Sequence, residues 1–180
     1  MSDDKKTKMK KLLKVTFILA VLTINVGCDQ ISKNIVRKKV DYNERIILIK
    51  NHVVLTKIEN TGAFLSLGSK LPQPLRNVLL AILPLIALGF MAYYFLTKKE
   101  LTNLTILGIC FIIGGGIGNM YDRIIHGSVT DFLYIDFVLF HTGIFNLADV
   151  SLMIGIGIIL YETYIHTNFR LNFQKGSFEK

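Results

Sequence analysis

Two cysteines in 180 residues allow one disulfide at most. Cys28 and Cys110 fall at different depths of two separate apolar runs, so no covalent staple is expected. Four histidines, His52, His126, His141 and His166, stand at no ligand spacing from one another or from the cysteines. That pattern argues against a metal centre, and no cofactor is expected. There is no tandem repeat and no low-complexity tract. The formal net charge is +8, yet the basic residues form no single stripe or motif, so nucleic acid is not the expected partner. The glycine-rich stretch "GGGIGNMYDR" (114–123) does not match a phosphate-cradling loop. Gly114 and Gly116 fit, but Asn119 stands where the third glycine belongs and no strand precedes it.

What the chain does have is apolar length. It is 51% hydrophobic with a mean hydropathy of +0.46, too apolar for an ordinary soluble domain of this size. The apolar residues gather into four blocks, about 12–28, 75–96, 101–118 and 147–165, each near the roughly 20 residues a helix needs to cross a bilayer. The expected fold is an all-α membrane protein, a single domain over residues 1–180 with four transmembrane helices. Six lysines (Lys5, Lys6, Lys8, Lys10, Lys11, Lys14) crowd the N-terminal end. Lys98 and Lys99 lie between the second and third blocks, and Arg170, Lys175 and Lys180 follow the fourth. With an even number of spans these regions share one side, and the positive-inside bias makes that side cytoplasmic. The opposite loop, about 34–74, is basic too, so the orientation rests on the N-terminal tail and the Lys98–Lys99 turn.

The first block raises its own question, because its basic head, apolar run and Val26-Gly27-Cys28 imitate a lipoprotein signal. Asn25 occupies the position where an aliphatic residue is wanted, no flexible polar linker follows Cys28, and three more apolar blocks do. The stretch is therefore expected to be an uncleaved first span with its N-terminus inside. After it, "KNIVRKKVDYN" reads as charged and interfacial. Residues 45–60, rich in β-branched side chains and broken at Lys50-Asn51-His52, read as two short strands. Pro84 falls inside the second span, as membrane helices tolerate. Gly114 with Gly118, and Gly155 with Gly157, are expected to let helices approach closely.

Ionisable groups at membrane depth are costly and each is a functional candidate. Asp29, Lys33, Asn60, Asn119, Asp122, Arg123, Asp131, Asn146 and Asp149 gather toward one end of the spans, and Glu162 lies near the other. Asp29 and Lys33, at i and i+4, have the spacing of an intrahelical pair. Asp122 and Arg123 could anchor the end of the third span or serve a site. Asp149 is two residues into an apolar helix, with Asn146 three positions earlier on the same face, and Asp131 stands in the apolar "VTDFLYI". Two carboxylates brought together in a partly desolvated site share one proton. One can then activate water while the other protonates a carbonyl. On the residues alone, a small ion or proton transporter remains the alternative. A transporter, however, should string its polar groups along a path instead of gathering them at one end.

In chain order, "DQISK" (29–33), "NTGAF" (60–64), "GGGIGNMYDRIIHGSVTDF" (114–132) and "FNLAD" (145–149) resemble the motifs of the lipoprotein signal peptidase family, over almost the whole chain. The resemblance implies a multi-pass aspartic endopeptidase of the bacterial cytoplasmic (inner) membrane, with both termini cytoplasmic and the active site at the extracytoplasmic face. It implies cleavage of diacylglyceryl-modified prolipoproteins just before the lipidated cysteine, with membrane lipids as the other partner and a monomer as the working state. The family's catalytic pair maps onto Asp131 and Asp149. The polar residues around the pair map onto Asn60, Gly62, Asn119, Asp122, Arg123 and Asn146, and the first-span motif onto Asp29 and Lys33. A small extracytoplasmic β-sheet between the first and second spans would correspond to about 45–67. One departure shows: many members have a second small residue after "NTGA", where Phe64 follows here at once.

Overall fold

The structure is a computed structural model and describes residues 3–50, 52–63, 67–98, 101–137 and 139–178. Phe64 and Lys99 lie outside the described residues. Among the described residues, four helices are long and apolar enough to cross a membrane. The first, α1 (Asp3–Lys39), runs far beyond position 28. The interfacial stretch expected after that point is in fact its last turns, because the polar residues there have a buried face to fill. Asp29 and Lys33 are fully buried, and Val36 and Val40 pack with Phe132.

The second apolar element is segmented: α2 (Gln73–Asn77), a π-helical turn (Val78–Ile82) and α3 (Leu83–Thr97). Pro84 opens α3 and has no N–H to continue an α ladder, and the wider turn just before it absorbs the mismatch. No side chain of α3 is buried. By contrast α4 (Asn103–His126) is the central helix, with Ile106, Ile109, Cys110 and Met120 in its buried face. It ends at Gly127, whose φ of 75° only glycine adopts freely. The last helix is α5 (Leu147–Phe178).

Small residues set the helix spacing. A Cβ on Gly118 would lie 2.5 Å from Asp29 Oδ2, and one on Gly114 would lie 2.8 Å from the Asn25 Cβ, so this pair admits α1. Gly155 similarly admits the Gly108 carbonyl of α4. Gly157 does not share that role, since it faces open space.

The expected sheet has a third strand that the sequence did not suggest. Strands β1 (Ile46–Ile49), β2 (Val53–Asn60) and β3 (Val129–Ile135) pair antiparallel in that order. In chain order the first two come between α1 and α2, and β3 between α4 and α5. The fold is mostly helical, with a sheet that draws on two loops. Its "VTDFLYI" strand is β-branched and aromatic enough to pair, and its register sets Asp131 opposite Ile58 and Val129 opposite Asn60.

Candidate active site

The site begins with a helix start. Asn146 caps α5: its Oδ1 accepts the Asp149 N–H at 3.0 Å, while the Asp149 Oδ2 accepts the Asn146 N–H at 3.2 Å. This is a capping box written with Asn and Asp, and it fixes the Asp149 carboxylate at the helix N-terminus, where the helix dipole favours negative charge. The other oxygen of Asp149 accepts from Asn119 Nδ2 at 2.8 Å.

Asp131 arrives from the sheet. Its Oδ2 accepts from Asn60 Nδ2 at 2.9 Å, a diagonal neighbour across the β2–β3 pair, and its Oδ1 accepts from Asn146 Nδ2 at 2.6 Å. Asn146 therefore joins the two carboxylates, through its amide to one and its backbone to the other. They are not hydrogen-bonded directly to each other among the described residues. Asp131 is 3% exposed. Burial pushes its carboxyl up to about 6 from the ordinary 3.8, and the charge of Asp149 adds to the rise; the amides of Asn60 and Asn146 pull the other way.

Beyond the two carboxylates lies a buried ionic layer. Lys33 Nζ reaches Asp29 Oδ2 at 2.8 Å, Asn119 Oδ1 at 2.9 Å and Asp122 Oδ2 at 3.3 Å. Three acceptors match the three N–H groups of an ammonium. Because Lys33 takes the Asn119 oxygen, the Asn119 NH2 is left pointing at Asp149. Asp29 Oδ1 accepts the Ala148 N–H at 2.9 Å, satisfying another donor at the start of α5. Asp122 Oδ2 accepts the Thr130 N–H at 3.2 Å, which pins the residue just before Asp131. Asp29 and Lys33 do form the intrahelical pair their spacing suggests, but that pair is one part of a three-helix network.

Gly62 closes the loop after β2. Its N–H donates to Asn60 Oδ1 at 2.8 Å and its carbonyl accepts from Arg123 Nη2 at 3.2 Å. Arg123 lies near enough to Asp149 and Asp131 to feel both charges. It lines, with Asn119 and Asp149, a cavity of about 380 Å3 between the helices. Asp131 adjoins this cavity through Asn146, which joins it to Asp149 on the cavity wall.

The ten residues onto which the family motifs map thus belong to one connected region, and Glu162 lies apart from it. Four partners were missed. Gln30 bridges Asp29, the Gly118 carbonyl and Asp122. Arg37 holds Asp122 at 2.7 Å and Thr130 at 2.8 Å, and Thr130 in turn donates to Glu59. Arg37 had a signal: with Asp29 and Lys33 it continues a four-residue spacing along one helix face. Glu59 and Thr130 had none until the sheet was known.

A sequence profile described as signal peptidase (SPase) II matches residues 19–165. The chain belongs to the signal peptidase II family. It is therefore an aspartic peptidase, and its four apolar helices make it a multi-pass membrane protein. The lipoprotein signal peptidase of Brevibacillus brevis is 32% identical over 145 residues, covering 81% of this chain and 93% of the relative. That of Treponema denticola is 35% identical over 159 residues, covering 84% and 91%. A solved structure described as a bacterial membrane enzyme superposes with a TM-score of 0.77 at 24% identity, over 85% of this chain and 90% of that one, so the signal peptidase II chain shares its fold.

Proposed function

We propose that this signal peptidase II removes signal peptides from diacylglyceryl-modified prolipoproteins, cutting before the lipidated cysteine with Asp131 and Asp149 as its catalytic pair. The observation that carries the assignment of the pair is the single Asn146 side chain and backbone tying both carboxylates together at the start of α5. Asp149, held by donors that suit an anion, takes a proton from water as the water oxygen attacks the scissile carbonyl carbon. Asp131, whose carboxyl holds its proton up to about pH 6, passes that proton to the carbonyl oxygen. Collapse of the resulting diol breaks the C–N bond: Asp149 gives its proton to the leaving nitrogen, and Asp131 recovers one from a diol hydroxyl. No metal and no covalent intermediate is required.

Asn60, Gly62, Asn119, Asp122, Arg123 and Asn146 support the pair, and Asp29 and Lys33 hold it to α1. The N-terminal lysines and Lys98 favour cytoplasmic termini, a topology in which the sheet and the catalytic pair face the extracytoplasmic side of the inner membrane. One chain contains the complete cluster, consistent with a working monomer, and the exposed apolar faces of the helices meet lipid. Changing either aspartate to asparagine tests the pair. Asp131→Asn and Asp149→Asn should each lower turnover at least about a hundredfold, the usual scale of positioned acid–base catalysis, with membrane insertion intact. Retention of a tenth of the wild-type rate in either would overturn the assignment.

A further inference from the structure

Away from the catalytic cluster, a cavity of about 1020 Å3 opens between α3, α4 and α5. Ala87, Met91 and Ile112 line both this cavity and the one that Asp149 faces, so the two adjoin along one groove between the same three helices. The walls are apolar between the catalytic cluster and the far end, where Glu162 and His166 enter from α5 among the hydroxyls of Thr102, Thr105, Thr163 and Thr167. Glu162 is 9% exposed, and its two oxygens accept hydrogen bonds from the hydroxyls of Thr102 and Thr105 at the start of α4. His166, largely exposed, is the basic group recorded beside it, with Nε2 3.7 Å away. A carboxylate at membrane depth is costly, and nothing in the catalytic cluster uses this one. Its Oε1 is shared between Thr102 and His166, while Oε2 keeps an acceptor position beyond its bond from Thr105.

The groove has a length as well as a charge. Asp149 and Glu162 stand on the same helix, roughly 20 Å apart at about 1.5 Å per residue. A signal peptide carries a positively charged segment followed by an apolar core of about 7–15 residues, which as a helix spans roughly 10–22 Å. With the scissile bond at Asp149, such a core fills the groove and its basic head reaches Glu162. We propose that Glu162, held by Thr102 and Thr105, is the docking site for the positively charged N-terminal segment of the signal peptide. The inference rests on the signal-peptidase reading above and extends it to the end of the substrate furthest from the cut.

The test uses one diacylglyceryl-modified precursor in three versions, with lysine, glutamine or glutamate in the head, cut by full-length enzyme in liposomes. Wild-type kcat/KM should fall roughly tenfold from lysine to glutamine heads and further for glutamate, as loss of one partly buried charge pair does. In Glu162→Gln the lysine-to-glutamine ratio should drop to near one, and Glu162→Lys should invert the preference toward glutamate heads, which misfolding cannot imitate. Equal wild-type kcat/KM for all three heads overturns the proposal and leaves the groove to a lipid tail or an uncharged segment. A lysine preference unchanged in Glu162→Gln also overturns it. Failure of the wild type to cut any version would instead overturn the signal-peptidase reading itself.

Discussion

Lys33 aims three N–H groups at Asp29, Asn119 and Asp122 from a fully buried position. Its removal would leave two buried carboxylates without their shared cation and free Asn119 to turn away from Asp149. Breaking one partner out of a buried ionic set costs on the order of 3–5 kcal/mol. Lys33→Met should therefore lower the unfolding temperature in detergent markedly and cut turnover with it; a variant as stable as wild type would contradict the network's structural role. Asp131 carries the pH dependence. With its carboxyl raised to about 6, chiefly by burial, kcat/KM should fall as pH rises through that value, because the proton it donates is lost. The stability contribution has the same sign: it is full below the ordinary 3.8 and disappears as pH rises through about 6. Asn60→Ala removes a donor that favours the charged form, so it should move the alkaline limb upward in pH whatever it does to the maximum rate. A downward move would show that Asn60 acts otherwise.

Among the elements, α1 shows how far the sequence could be read. Its apolar first half is plain from hydropathy, whereas the stretch from Lys33 onward looks interfacial because its buried partners come from α4 and β3, distant in the chain. Cys28 lies exposed in the middle of this unbroken helix. Cys28→Ala is expected to leave cleavage and intact mass, apart from the substitution itself, unchanged; a purified species beginning at Cys28 with an added diacylglyceryl mass would contradict the reading of 12–28 as an uncleaved span. Asp131 and Asp149 were legible as costly carboxylates in apolar settings. Their junction through Asn146 was not, since it depends on β3 pairing with β2, and a seven-residue strand beside a membrane helix leaves only a weak periodic signal. Gly114 and Gly118 announced a close helix contact correctly, but spacing alone could not separate Gly155, which packs, from Gly157, which does not.

At the scale of the molecule, four apolar helices present one polar cluster at one end of a groove. A cleft bounded by lipid can gain about 0.8 kcal/mol per buried methylene, so the diacylglyceryl group should contribute heavily to recognition. The same precursor without its lipid should be cut poorly, and equal rates on both would point to a general signal peptidase. EDTA should leave activity unchanged, whereas inhibition reversed by zinc would contradict the two-carboxylate mechanism. The most direct measurement incubates the purified protein, in parallel with Asp149→Asn, with a diacylglyceryl-modified prolipoprotein and follows the signal peptide by mass. Wild type should release the signal peptide with the new chain beginning at the lipidated cysteine, and the variant should release none. Cleavage elsewhere, or equal cleavage by both proteins, would contradict the proposed function.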